Sequence, residues 1–182
     1  RTEPRMPRRF DDLQPEERAT YINAVRGEIE RMMGLISELL DVSRIETSRL
    51  QIHPQAIRWL EFIGARASAF QVQHPTRSIL MSIEAVDAVV VADPDRMRQV
   101  VDNLLSNALK YSPADALVEV SAEAGGETLA VTVADRGLGI PPADLAHVFD
   151  KFYRVQRPNQ ATGTGLGLSI SKGIVEAHGG AI

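Results

Sequence analysis

Asn103 and Asn107 stand four residues apart in a run with helical spacing, which sets both side chains on one helix face. Two neutral amides there can offer oxygens to a hard cation such as Mg2+ without adding negative charge beside phosphates. Lys110 and Tyr111 close the same run, one a cation and the other a flat aromatic. Asp135-Arg136-Gly137-Leu138-Gly139 follows a strand-like stretch directly. A carboxylate at a strand end can accept a hydrogen bond from an exocyclic amine, and the glycines let backbone approach a flat ring. Gly163-Thr164-Gly165-Leu166-Gly167 opens into a helix, so its backbone N–H groups can face an anion with help from the helix dipole. It is neither a Walker loop nor a Rossmann fingerprint. Between these loops Phe149 and Phe152, three apart, are interleaved with Lys151 and Arg154 and could anchor a lid by packing. Singly, each signal also fits a plainer role: surface asparagines, an ordinary turn, a flexible hinge, an amphipathic turn.

The elements that must position these residues follow from period and punctuation. Residues 1 to 10 hold two prolines and four arginines and predict little helix. Pro15 with Glu16 and Glu17 starts a helix. Ile22, Val25, Ile29, Met32, Ile36 and Leu39 then recur in steps of three and four, a heptad seam that Met33 and Leu40 widen. This helix is expected to reach about Ser48 and to need a partner from another chain or from further sequence. Gln51 to Pro54 read as an extended link, and Leu60, Ile63, Ala67 and Phe70 as a helix face. Residues 77–83 and 88–92 read as strands. Asp93-Pro94 caps a helix reaching about Tyr111. Residues 118–123 and 128–134 form a hairpin around Gly125-Gly126. A short helix is expected over 144–153, and a last helix ends at Gly179. The pattern is α+β: a helical arm, then a mixed layer domain.

The chain has 182 residues and a formal net charge of -4, which argues against a broad grip on nucleic acid. No cysteine is present, excluding disulfides, thiolate zinc sites and thiol catalysis. No apolar run approaches the roughly 18 residues of a membrane span, and no signal peptide is recognisable. All three lysines, Lys110, Lys151 and Lys172, and ten of the 13 glycines lie after residue 109.

In this order the four signals resemble the sensor histidine kinases of two-component systems, within the GHKL ATPase superfamily. The matches are DNLLSNALKYS (the N box), DRGLGI, VFDKFYR (the F box) and GTGLGLSI, with DVSRIE at 41 to 46 similar to the end of that family's second dimerisation helix. The resemblance covers about residues 15 to 182. It implies a two-layer α/β sandwich of the GHKL type behind a long dimerisation helix, divided as residues 1–50 (a partial dimerisation and phosphotransfer region) and 51–182 (a catalytic ATP-binding domain). Asn107 with Asn103 would bind the Mg2+ that bridges the phosphates, Lys110 would approach phosphate, and Tyr111 would pack near the base. Asp135 would accept from the adenine amino group, with Gly137 and Gly139 shaping that pocket. Lys151 and Arg154 would reach the γ-phosphate. Gly163, Thr164, Gly165, Leu166 and Gly167 would wrap the triphosphate, beside a lid at 150 to 162. Asn103 stands where gyrase-like members carry a glutamate that activates water; an amide is a poor base, so slow hydrolysis and transfer to another acceptor are expected.

The implied activity is ATP-dependent phosphorylation of a histidine, relayed to a response regulator receiver domain. None of His53, His74, His147 and His178 lies in the family's acceptor motif. The acceptor helix is therefore expected outside this chain, which alone would not autophosphorylate. The family fold continues beyond GGAI with a further hairpin, so a fragment is expected. The expected partners are a second copy through the 15–48 helix and a response regulator, with no nucleic acid. The expected location is the cytoplasmic side of a membrane-associated parent. Two other readings are a non-catalytic dimerisation or regulator-docking module with a degenerate pocket, and a serine kinase of the anti-sigma-factor type, which lacks such an arm.

Overall fold

The computed structural model describes residues 13–83, 88–155 and 163–182. The proline- and arginine-rich start and residues 156–162 of the expected lid lie outside the described residues. Two compact units divide between Leu40 and Asp41, ten residues before the boundary expected at 50.

Helix α1 runs Pro15–Glu46. Glu16 and Glu17 occupy its first turn, where negative charge meets the positive end of the dipole. Glu17 also reaches back to accept the Gln14 N–H at 3.0 Å. The helix ends two residues before Ser48, whose φ of 52° is left-handed. In the first unit the seam residues Ile22, Val25, Ile29, Met32, Ile36 and Leu39 are 50% to 59% exposed.

In the second unit, β1 (Gln55–Arg58) pairs antiparallel with β3 (Val89–Ala92). A three-stranded sheet runs β2 (Ser78–Ile83), β4 (Leu117–Gly125), β5 (Thr128–Ala134), with β2 parallel and β5 antiparallel to β4. Helices α2 (Trp59–Gln73) and α3 (Pro94–Tyr111) supply the second layer. Trp59, Ile63 and Phe70 of α2, Val101, Leu105, Ala108 and Leu109 of α3, and Val118, Val120 and Ala122 of β4 form one core. The two-layer architecture follows from alternation: β4 turns every second residue inward, and α3 offers one apolar stripe.

Helix α4 (Gly167–Ala177) lies against α3 through a second core of Val42, Val100, Leu166, Ile170 and Ile174. The last turns of α1 belong to it. Asp41, 4% exposed, accepts from Arg96 Nη1 at 3.0 Å and Gln99 Nε2 at 2.8 Å. A buried charge is tolerated only with such partners.

Two expectations are corrected. Residues 144–153 form no α-helix, only a 3-10 turn at Leu145–His147. The N–H groups of Asp144, His147, Asp150 and Tyr153 each bond three residues back, at 2.8 to 3.2 Å, so the chain turns through short-range bonds that never build an i to i−4 ladder. The link after α1 is followed by a strand, β1, which was not expected there.

Candidate functional site

The C-terminal half of α3 faces the start of α4, and side chains cross between them. Asn107 Nδ2 donates to Asn103 Oδ1 at 3.3 Å, and Asn103 Nδ2 donates to Ser171 Oγ at 2.9 Å. A Cβ at Gly167 would stand 2.2 Å from Asn103 Oδ1, so any side chain there would displace the Asn103 amide. One turn further along α3, Lys110 Nζ reaches the glycine-rich loop, 2.8 Å from where a Gly163 Cβ would be. The ammonium also sits 5.0 Å from the Tyr111 ring centroid. The structure thus brings Lys110 to Gly163 and Asn103 to Gly167, with Asn107 bonded to Asn103. Thr164 Oγ1 accepts the Leu166 N–H at 3.2 Å, and Leu166 is buried in the second core, which moors the loop at its helix end.

The end of α3 meets the loop after β5. Asp135 Oδ1 accepts the Gly137 N–H at 2.7 Å, and the Leu138 N–H donates to Tyr111 O at 3.3 Å. A Cβ at Gly137 would lie 2.4 Å from Tyr111 O, so Gly137 is fixed by close approach. Asp135 is exposed, with Oδ1 engaged by the loop, which suits Oδ2 to accept from a ligand amine. Gly139, at φ +63°, carries the turn onward. The helix end itself is held by Arg77, whose guanidinium donates to Leu109 O at 2.8 Å and Pro113 O at 2.7 Å. A cation at a helix C-terminus also opposes the negative end of the dipole.

Phe152 adopts a φ of 62° and donates its N–H to Gly165 O at 2.9 Å, tying the F box to the glycine-rich loop. Gly165, at φ +73°, has no room for a side chain, since a Cβ would meet the Phe152 carbonyl carbon at 2.7 Å. Tyr153 donates to the Asp144 carboxylate, which pushes the phenol above its ordinary range. The Lys151 ammonium pairs with Glu46 at the end of α1. Arg154 is exposed. Ser171 and Glu46 were not among the expected site residues. Ser171 carried a weak signal, being four positions after Gly167 and so on the same helix face.

Residues 92–182 match the family described as histidine kinase-, DNA gyrase B- and HSP90-like ATPases. The chain belongs to this family. Residues 92–182 therefore form an ATP-binding domain of the histidine kinase type. The sensor histidine kinase WalK of Bacillus subtilis is 37% identical over 169 residues, covering 89% of this chain and 27% of WalK. The chain thus spans about a quarter of the length of that relative. The mycobacterial sensor histidine kinase MprB superposes with a TM-score of 0.60 at 27% identity, covering 71% of this chain and 81% of MprB. The Acinetobacter baumannii histidine kinase AdeS has the same fold, with a TM-score of 0.72 at 22% identity over 91% of this chain and 76% of AdeS. Neither the degenerate docking module nor the serine kinase reading is favoured by these relatives. No helix among the described residues is long and apolar enough to cross a membrane.

Proposed function

We propose that this chain is the catalytic region of a two-component sensor histidine kinase, which transfers the γ-phosphoryl group of Mg-ATP to a histidine on a helix outside these residues. The phosphohistidine then serves a response regulator receiver domain. The observation that carries this reading is the junction of Asn103, Asn107 and Lys110 with Gly163 and Gly167, next to a carboxylate and an aromatic at the end of the same helix.

The residues fit the ligand. Neutral amide oxygens and one ammonium suit a metal–phosphate pair, because the amides add no charge of their own. Asn107, assisted by Asn103, would hold Mg2+, which when bound neutralises phosphate charge and orients the leaving group. Lys110 places its cation at the loop of Gly163, Thr164, Gly165, Leu166 and Gly167, which would wrap the triphosphate. Asp135 takes the adenine amino proton donor, Tyr111 lies by the base, and Gly137 and Gly139 keep the pocket wall to bare backbone. Lys151 and Arg154 serve the γ-phosphate. The pair between Lys151 and Glu46 is 37% and 55% exposed. Such a surface pair is worth only about 0 to 1 kcal/mol, so exchange of Glu46 for a phosphate oxygen is cheap. In the transfer the bond from the γ-phosphorus to the β,γ-bridging oxygen breaks and a phosphorus–nitrogen bond to imidazole forms. ADP departs and the imidazole releases a proton. With an amide at Asn103 no side chain there removes a proton from water, which favours the histidine over hydrolysis.

The chain, mixed with γ-labelled ATP and a separately prepared acceptor helix, is expected to leave acid-labile phosphate on the histidine of that helix. Label released only as inorganic phosphate would contradict the transfer and leave an ATPase.

A further inference from the structure

We infer that Ser171 is a positioning residue for the metal-binding end of the site, acting through Asn103 to orient the Asn107 amide. The inference rests on the nucleotide reading above. Ser171 lies one turn into α4 and is 1% exposed, between Ile170 at 2% and Ile174 at 0%. A hydroxyl in such surroundings is costly unless it is hydrogen-bonded. Its partner is Asn103 Nδ2, at 2.9 Å.

A carboxamide has a donor branch and an acceptor branch on one rotatable bond. With Nδ2 of Asn103 pinned on Ser171, Oδ1 occupies the other branch, where Asn107 Nδ2 meets it at 3.3 Å. That contact fixes the second amide in turn. Asn107 gives its N–H branch to Asn103, so its oxygen is the branch presented to a cation. Flipped, Asn107 would offer an NH2 group, which repels a cation. Gly167 leaves room for the Asn103 amide beside α4: a Cβ there would stand 2.2 Å from Asn103 Oδ1 and 3.1 Å from its Nδ2. The two asparagines are therefore unlike. Asn103 has both branches engaged by protein and supports, whereas Asn107 is the terminal ligand. Partners that orient a metal ligand typically change metal affinity by about 10- to 100-fold when removed.

The test is displacement of a fluorescent ATP analogue from the whole chain, once in excess Mg2+ and once in a metal chelator. Ser171→Ala should weaken affinity about 10-fold in Mg2+ and less than about twofold without metal, and Ser171→Thr should restore the Mg2+-dependent part. Thermal unfolding without nucleotide confirms that each variant is folded. Equal affinities for wild type and Ser171→Ala in Mg2+ would overturn the inference. So would an equal loss with and without metal, which marks general loosening of α4. A wild-type chain that binds the analogue under neither condition would overturn the nucleotide reading itself, and the inference with it.

Discussion

Asp93 accepts hydrogen bonds from three backbone N–H groups: His53 at 2.8 Å, Asp95 at 3.0 Å and Arg96 at 3.1 Å. Its own N–H donates to His178 Nε2 at 3.0 Å, so one residue joins the approach to β1, the start of α3 and the end of α4. Burial works to raise its carboxyl, but the His53 and Arg96 hydrogen bonds and the nearby positive charge of Arg96 outweigh it and hold the group below its ordinary 3.8. A depressed carboxyl stabilises the fold above its ordinary value and loses that contribution as pH falls through the lower folded value. Stability should therefore drop as pH falls below about 4, and Asp93→Asn should flatten that acid limb while Asp93→Ala costs about 1 to 2 kcal/mol near pH 7. Denaturant unfolding across pH checks both, and an acid limb unchanged in Asp93→Asn would refute the assignment. The cap was legible as Asp before Pro at a helix start. Its bonds to His53 and His178 were not, because they join residues 40 and 85 positions away. The same limit hid the links from Asn103 to Ser171 and from Lys151 to Glu46.

At the scale of elements, periodicity carried most of what was legible. Helices α2, α3 and α4 and the β4–β5 hairpin fall where spacing and turn residues place them. Strand β1 was missed because four residues, QAIR, show no period of their own, and their state comes from pairing with β3. The short helix expected over 144–153 is replaced by turns around a 3-10 segment at Leu145–His147. In fact, the Tyr153 and His147 side chains bond Asp144 and Asp150, and their rings pack 5.4 Å apart. Helix α1 leaves a half-exposed apolar seam. Burying the rest of each seam side chain would release roughly 1 kcal/mol apiece, several kcal/mol per helix. We propose that the arm pairs with a second copy of itself. Sedimentation equilibrium should find a dimer, shifted toward monomer by Ile29→Asp. A monomer at high concentration with the arm still helical would contradict the pairing.

For the whole molecule, the net charge of -4 argues against a broad polyanion-binding surface but not against a triphosphate, which needs only local cations. The layered fold was legible because each element carries its own pattern. The residue types proposed for the site were legible as well. Their arrangement was not, since it arises where α4 closes on α3 and the loop after β5 meets Tyr111. The central claim is that this junction binds Mg-ATP with Asn107 as the metal ligand. Calorimetric titration of ATP into the chain with and without Mg2+, for wild type and Asn107→Ala, tests it most directly. The account predicts Mg2+-dependent binding to wild type and a loss of about 100-fold or more in Asn107→Ala. Equal Mg-ATP affinity in the two proteins would contradict it.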